Sequence, residues 1–494
     1  MSVRKPAFIL LLLFAACKPS LEERIVASAY PDAVGEIMLT SCATGGCHAA
    51  EAPEAGLDLS TWSALMKGSD FGAIAIPGSD QWSHLFQHIN TFDDLGIRAQ
   101  PVMPPDSVGT LTRAQIVTIQ DWIQEGAKDR NGLNYWAAQE QRSSGKVFAL
   151  CAGSDLIAVS DIATNRLMRM IPVGQYPLDL EAPHYLTLSP DKQYLYLSLI
   201  NGGLIEKYRT DTYAFVGRVA VGPDPSLIVL NADGTRAIIT HWNDSDNQPK
   251  LTLLNTETLT IIDEIVAGGS FMSYPHGVKA SSDFRTLYVG SNQGNYISRL
   301  EIDETGFLNE EKILLDPVND PVERSTQDYQ PYQLYLSPDE SRLFVTLNKK
   351  NEVWVLNTVN KEVLARIPVG KAPRLMAYDP LSQRIFVACK LEENFAEQGS
   401  LQGCVSVVDA VNLQFVQNIY RVGHRPHGVS IAQNSRMLYV SSENTGGADT
   451  PHHPTTGNSS PPGKYNIVDL STLKSIKSKE VQIAEFPSAL IVSE

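Results

Sequence analysis

Pro331-Tyr-Gln-Leu-Tyr-Leu-Ser-Pro-Asp339 opens a pattern that runs on through Arg342-Leu-Phe-Val-Thr346 and Val353-Trp-Val-Leu-Asn357 to Val369-Gly370. Each run is short, rich in β-branched and aromatic residues, and bounded by turn residues, which is how strands read. The same opener recurs as Pro183-His-Tyr-Leu-Thr-Leu-Ser-Pro-Asp191, Pro225-Ser-Leu-Ile-Val-Leu-Asn-Ala-Asp233 and Pro275-His-Gly-Val-Lys-Ala-Ser-Ser-Asp283. It returns as Pro373-Arg-Leu-Met-Ala-Tyr-Asp-Pro380, Pro426-His-Gly-Val-Ser-Ile-Ala-Gln433 and Pro487-Ser-Ala-Leu-Ile-Val-Ser493. Openers 42 to 61 residues apart, each heading four strands, are the pattern of propeller blades.

There are seven openers, and the last has no strands after it. Its partners must come from the first β segment, Lys146-Val-Phe-Ala-Leu-Cys151 and Leu156-Ile-Ala-Val-Ser-Asp161. The expectation is an all-β seven-bladed propeller over residues 146–494, closed by the C-terminal strand so that no sheet edge is left open. The repeats resemble the YVTN family of seven-bladed propellers, a likeness shared with lactonase-like and amine dehydrogenase proteins. That resemblance covers about seven tenths of the chain and implies a fold, not a function.

The first residues read differently. Arg4 and Lys5 precede an apolar run from Ala7 to Ala16, too short to span a bilayer and suited to a signal peptide. Phe14-Ala15-Ala16-Cys17 resembles a bacterial lipobox, with Phe where Leu is commoner. The resemblance implies a signal over 1–17, lipid on Cys17, and a tether over 18–27. The mature protein is then an exported lipoprotein of the periplasm or outer membrane, touching the membrane only through its anchor. A net charge of −15 argues against nucleic acid, whose phosphates need clustered Lys and Arg.

Between tether and propeller lies Cys42-Ala-Thr-Gly-Gly-Cys47-His48. Two thiols can add to the two vinyl groups of haem, and an imidazole directly after the second can reach the iron. The usual spacing is C-x-x-C-H, whereas here it is C-x4-C-H. Gly45 and Gly46 supply the freedom that a bulged loop needs; a Cys42–Cys47 disulfide is the alternative. Val34, Ile37 and Met38 have helical spacing before the motif, with Pro31 suited to a first turn. After it, Thr112 and Gln115 form a capping-box pattern, Ile116, Ile119 and Ile123 make an apolar stripe, and Gly126 suits a helix stop.

Helix, haem motif and closing helix are the plan of a small all-α, class I-like monohaem cytochrome c over residues 28–130, with a linker over 131–145. The segment resembles planctomycete-type cytochromes at Ala55-Gly-Leu-Asp-Leu-Ser60, Ile76-Pro-Gly-Ser79, Ser83-His-Leu-Phe86, Val102-Met-Pro-Pro105 and Trp122-Ile-Gln-Glu-Gly-Ala127. The resemblance implies one haem c on Cys42 and Cys47, with His48 and Met103 as axial ligands. His84 and His88, four apart on an expected helix, are the rivals to Met103. Asn134-Tyr-Trp-Ala-Ala-Gln139 is a candidate linker helix.

Three cysteines remain. Cys389 ends one expected strand and Cys404 begins the next, so a disulfide between them is open, and Cys151 is expected as a buried thiol. The residues after the opening prolines are His184, Ser226, His276, Tyr332, Arg374, His427 and Ser488. They are expected near the mouth of the propeller channel, with the three histidines spread around the ring. His241, His424, His452 and His453 are expected on the same face. His184, His276 and His427 are therefore candidates for an additional metal or cofactor site, against the plainer reading of Pro-His-Gly as a turn. Asn243-Asp-Ser-Asp-Asn247 reads as a solvated turn rather than a Ca²⁺ loop.

Three functions follow. One is electron transfer through haem to a redox partner protein, with the propeller as docking or ligand-binding platform. The second is a periplasmic oxidoreductase with its own propeller site, and the third a surface binding module.

Overall fold

The computed structural model describes residues 19–494 apart from 52, 70–71, 108, 137–144, 176–178, 243–249, 267–271, 324–327, 392–395, 398–399, 444–461 and 477–478. Cys17, His452, His453 and the 243–247 run lie outside the described residues. Two compact units result, Met1–Ala138 and Gln139–Glu494.

The first unit is helical. Helix α1 (Leu21–Ser28) opens on a Ser20/Glu23 capping box, so residues 21–28 are folded where a tether was expected over 18–27. Helix α2 (Asp32–Ile37) follows Pro31 as its N-cap and runs into a π-turn, Met38–Cys42. Helices α3 (Trp62–Lys67), α4 (His84–Ile89) and α5 (Arg113–Gln124) complete the set. The expected capping box on α5 is present, and Gly126 adopts φ +103° where the helix stops. Val34, Ile37, Met38, Ile116, Ile119 and Ile123 share one core with Tyr30, Trp62, Phe86 and Trp122. Each isoleucine of α5 in that core contributes roughly 2 kcal/mol by leaving water. The Trp62 and Trp122 indoles donate to the carbonyls of Ala127 and Lys128, both at 2.8 Å, which anchors the chain beyond α5. Within 134–139, the described part is a turn held by the Asn134 side chain on the Trp136 amide (2.9 Å), not a helix.

The second unit is the seven-bladed propeller. Blades 1 to 6 open at Pro183–Leu188, Pro225–Leu230, Pro275–Ala280, Pro331–Leu336, Lys371–Asp379 and Pro426–Ala432, each the first strand of an antiparallel sheet. Blade 7 is assembled from both ends of the unit. Its strand order is Arg166–Pro172, Leu156–Asp161, Lys146–Cys151 and then Pro487–Ser493, with Lys146 opposite Ser493 and Phe148 opposite Ile491. Burial follows strand position: the first blade's second strand, Tyr194–Leu199, is buried almost throughout, whereas its fourth, Phe215–Ala220, is half-exposed to exposed. Blade cores such as Leu343, Val345, Trp354 and Leu356 form where neighbouring sheets face each other.

One feature of the repeat is not visible in its letters. The residue before every opening proline is in the left-handed region: Ala182, Asp224, Tyr274, Gln330, Ala372, Arg425 and Phe486, with φ between 48° and 53°. None is glycine, and a residue before proline ordinarily prefers extended backbone. The carbonyls of Ala182, Asp224, Tyr274, Gln330 and Arg425 accept from amides of Ile200, Trp242, Asn292, Asn348 and Glu443, just past the second strand of the same blade. This corner recurs seven times, and it fixes the side chain that follows the proline.

Candidate functional sites

In the helical unit, the π-turn carries Cys42 to the edge of the core. Its last carbonyl-to-amide bond runs from the Ala43 amide to Met38 O at 2.8 Å, five residues back. The chain then reverses: the Cys47 amide donates to Thr44 O (3.0 Å) and the His48 amide to Cys42 O (3.3 Å), with Gly46 at φ +82°. The two intervening glycines therefore serve the reversal. Cys42 and Cys47 are both thiols, Cys42 buried and Cys47 half-buried. Burial, then the neighbouring Cys47, pushes the Cys42 thiol up to about 12.

His48 is half-buried, and its Nδ1 lies 3.2 Å from Leu57 O, so Nδ1–H donates and Nε2 presents its lone pair. That is the tautomer a metal-ligating histidine needs, fixed by a backbone acceptor. A backbone bond from the Leu59 amide to His48 O (2.9 Å) holds the same strand of chain in place. Met103 sits on a half-buried loop whose amide donates to His88 O at 2.8 Å. His88 Nδ1 donates to Pro101 O at 2.7 Å, so this rival is tied to the Met103 loop by both backbone and ring. His84 stacks obliquely near His88, with ring centroids 6.3 Å apart; burial, then His88, lowers its pKa. The donor set fits haem c: two reduced thiols, an imidazole with its outer nitrogen uncommitted, and a thioether on a braced loop.

In the propeller, His184, His276, Tyr332 and His427 meet. They were expected apart and near a channel mouth; instead all four are buried, and their rings touch. First strands of all blades converge on the axis, so residues from blades 1, 3, 4 and 6 become neighbours there. His276 Nδ1–H donates to Tyr332 O (3.1 Å), and His427 Nδ1–H donates to Ser488 O. Nε2 of both rings is then an acceptor: Tyr332 Oη–H donates to His427 Nε2 at 2.9 Å, and His184 Nε2 lies 3.4 Å from His276 Nε2. Second-strand hydroxyls hold the ring together. Ser198, Thr240, Thr346 and Ser441 donate to the carbonyls of Ser226, His276, Arg374 and Ser488, each the residue after the next blade's opening proline, at 2.6 to 3.4 Å.

The imidazoles are neutral. Burial first, then Arg374, brings His184 down to about 3. Burial depresses His276 and His427 as well, helped by Arg374 and His184. Arg374 lies over the Tyr332 ring, its guanidinium carbon 4.4 Å from the centroid. Among the described residues, no three His, Cys, Asp or Glu side chains form a metal-holding group. His241 does not join the cluster: its Nδ1 donates to Pro223 O (2.7 Å) and its Nε2 pairs with Thr252 Oγ1 (3.0 Å). His424 belongs to an isolated bridge with Gln402. Sequence reasoning missed Lys390, Arg425 and Glu443, a buried ionic trio electrostatically coupled to Arg374. A lysine at the end of a β-strand and an arginine in an inter-blade turn gave no signal of burial.

Cys389 and Cys404 stand opposite each other across paired strands of blade 5, as thiols rather than as a disulfide. Cys151, opposite Leu156, is a fully buried thiol pushed up to about 12 by burial.

Comparison with known proteins bears on both units. Residues 45–107 match the family model for planctomycete cytochrome C. Over that stretch the N-terminal unit is similar to a cytochrome c domain. The matched stretch contains Cys47, His48 and Met103 but begins after Cys42, the thiol displaced by the unusual spacing. A cytochrome c domain implies covalent haem c. The chain is also 22% identical over 298 residues to Antigen Lp49 of Leptospira interrogans serogroup Icterohaemorrhagiae serovar copenhageni (strain Fiocruz L1-130), covering 57% of this chain. It spans 59% of that antigen's length, less than two thirds. Among solved structures, a functionally unknown protein from Desulfotomaculum acetoxidans DSM 771 superposes with a TM-score of 0.53 at 13% identity, covering 71% of this chain and 99% of the other. A 6-phosphogluconolactonase-like protein from Bacteroides fragilis NCTC 9343 gives 0.51 at 13% identity, covering 71% and 98%. These likenesses concern the fold alone. No helix among the described residues is long and apolar enough to cross a membrane.

Proposed function

We propose that this protein is an exported electron carrier with one haem c, its propeller serving as docking or ligand-binding platform for a redox partner protein. Cys42 and Cys47 would hold the porphyrin, and His48 and Met103 would ligate its iron. The bound haem supplies one-electron chemistry, and a thioether ligand favours its reduced form. The chain's own part is to fix the ligands. The observation that carries the reading is His48: Leu57 O accepts from Nδ1, so Nε2 keeps its lone pair for a metal, inside the stretch that matches the cytochrome family. The Met103 amide, bonded to His88 O, holds the second candidate ligand to the end of α4.

The amino-terminal pattern ending in Cys17 supports export and a lipid anchor at the periplasm or outer membrane, with the rest of the chain off the bilayer. The test is periplasmic expression followed by haem staining and a redox titration. A covalent haem with a reversible reduced spectrum is expected. Protein that stains negative after acetone extraction overturns the reading.

A second reading, a periplasmic oxidoreductase with its own propeller site, draws support from the contact of His184, His276, Tyr332 and His427. Metal at His184, His276 and His427 would make a cation share space with Arg374, and His427 Nε2 already accepts from Tyr332. Elemental analysis of wild type against a triple alanine variant at the three histidines tests it; iron at one equivalent and no other metal in either protein overturns the metal form.

A further inference from the structure

Two cysteines of blade 5 have no part in electron transfer or in the axial cluster. They face each other across the second and third strands, Cys389 opposite Cys404, and both are fully buried thiols. In blades 1, 4 and 7 the pair at this place is Leu199–Leu204, Leu347–Glu352 and Cys151–Leu156, each closed by a tight turn. In blade 5 the chain between the paired positions is much longer and includes a short hairpin, Ala396–Glu397 with Ser400–Leu401. A longer loop costs more entropy to close, and a covalent link across its base offsets that cost.

The register suits such a link. Directly opposed residues of antiparallel strands have Cα atoms about 4.5 to 5.5 Å apart, inside the window of about 4.4 to 6.8 Å that a disulfide needs. Both side chains also converge on one spot. A Cβ placed on Gly370 would lie 2.5 Å from Cys404 Sγ, 3.1 Å from Cys389 Sγ and 2.8 Å from Cys389 Cβ, so only glycine leaves room beside the two sulfurs. Ser406 Oγ accepts from the Gly370 amide at 2.9 Å and lies 3.4 Å from Cys389 Sγ and 4.0 Å from Cys404 Sγ. Burial pushes the Cys389 thiol up, but hydrogen bonds from the Cys404 thiol and from Ser406 outweigh it and lower its pKa. That favours the thiolate, the form that attacks a disulfide. Cys151, equally buried but opposite Leu156, is pushed the other way.

We propose that Cys389 and Cys404 are the site of an intrachain disulfide that closes the base of the 389–404 loop and does for blade 5 what a tight turn does for blades 1, 4 and 7. The oxidant is an external disulfide, RSSR. Cys389 loses its proton, attacks one sulfur of RSSR, breaks the S–S bond and releases RS⁻. Cys404 likewise loses its proton, attacks Cys389 Sγ in the mixed disulfide and releases the second RS⁻. The two electrons and two protons lost by the protein end on two RSH. Both sulfurs are buried, so exchange takes place while the blade is open, and the closed blade then seals the bond from reductants. The link also steadies the junction with blade 6. Lys390, next to Cys389, pairs with Glu443, and a Cβ on Gly403, next to Cys404, would lie 2.2 Å from Cδ of Pro426, the blade 6 opener. The site belongs to the propeller alone and is independent of haem and of export.

The test uses the full-length protein, reduced and then exposed to oxidised glutathione, in one arm as the folded protein and in the other during refolding from guanidinium. Remaining thiols are alkylated in denaturant, and the protein is digested with trypsin without reduction. Lys390 stands between the two cysteines, so Ile385–Lys390 and Leu391–Arg421 stay joined only through the bond. The joined peptide is expected as the principal product of Cys389 and Cys404 in at least one arm, with Cys151 recovered alkylated. Closure should raise the thermal midpoint of the propeller by roughly 5 °C over the reduced protein. Cys404→Ser should abolish that rise; if this variant fails to fold, the wild-type peptides and midpoints carry the test. Recovery of both cysteines as alkylated thiols in both arms, pairing of either with a different cysteine, or a midpoint that does not rise on closure overturns the proposal.

Discussion

The two units of this chain reach their structures by opposite routes. The helical unit is specified by local, unrepeated signals: one capping box at Thr112 and Gln115, one π-turn ending at Cys42, one histidine held by Leu57 O. The propeller is specified by repetition, seven times over, with the final strand borrowed from the far end of the unit. Loss of a local signal should damage one function; loss of a repeat element should damage the ring. The difference teaches where each property is stored. Chemistry in the helical unit lies in consecutive letters, whereas chemistry in the propeller arises only when the ring closes and brings distant letters together.

The largest effect should follow from opening the ring. Truncation after Phe486 deletes the strand that pairs with Lys146–Cys151 and leaves the edge of blade 7 bare. It also removes Ser488, whose carbonyl accepts from His427 and whose hydroxyl donates to Pro183 O at 2.9 Å. The expected outcome is loss of a cooperative propeller transition in thermal unfolding, while covalent haem still forms on the helical unit. A truncated protein that unfolds with the wild-type midpoint would break the comparison.

The converse experiment is nearly as severe in function and mild in stability. Cys47→Ser or His48→Ala should abolish the haem absorption of the purified protein, since His48 has no substitute directly after a thiol. The propeller transition should stay within about 0.5 kcal/mol of wild type, the range for changes remote from its core. Cys42→Ser separates the roles of the two thiols: if the buried Cys42 does bond the porphyrin, its pyridine haemochrome band should move toward that of a singly attached haem.

Between these lies a single ionic link across two blades. Arg436 of blade 6 clasps Asp379 of blade 5 with two bonds, 2.8 and 2.7 Å, and the Asp379 side chain is fully buried while Arg436 is 29% exposed. Burial pushes the Asp379 carboxyl up, but Arg436 and Ser382 outweigh it and hold it at about 2. Asp379→Asn should cost about 2–3 kcal/mol, less than a fully buried pair because arginine stays partly in water. The sign in pH follows. A carboxyl lowered on folding stabilises above its unfolded value near 4, and that contribution fades as pH falls from about 4 through 2. Denaturant unfolding between pH 5 and 2 should therefore steepen in wild type relative to Asp379→Asn; parallel curves would remove the ionic link from the account.

How much of this was legible in the letters follows the same division. The blade count and the closing strand could be read because proline, strand and turn recur in fixed order. Core residues of α5 could be read from the spacing of Ile116, Ile119 and Ile123. The meeting of His184 with His276 could not, because 92 residues separate them and only the narrowing of the ring at its axis joins them. The buried trio of Lys390, Arg425 and Glu443 was hidden for a different reason. Charged residues at strand ends and in turns ordinarily face water, and nothing local marks the few that a closing ring covers. The left-handed corners were equally silent, since their residues include Ala182, Tyr274 and Phe486, none of which favours that backbone.

The smallest effect is also the cleanest probe of independence between the two routes. Thr112 Oγ1 accepts from the Gln115 amide at 3.3 Å, and Gln115 Oε1 accepts from the Thr112 amide at 2.9 Å, a reciprocal cap at the start of α5. Thr112→Ala leaves the Gln115 amide without its side-chain acceptor and removes the hydroxyl's own bond to Gln115 Oε1, and it should destabilise the helical unit by about 1 kcal/mol. The cap is exposed, so water replaces much of what is lost, and the core stripe on the opposite side of the helix stays intact. Hydrogen exchange resolves the two units separately. Faster exchange confined to the first turn of α5 and its neighbours, with propeller amides unmoved, is expected if local signals act locally; faster exchange in blade strands would show that the two routes are coupled.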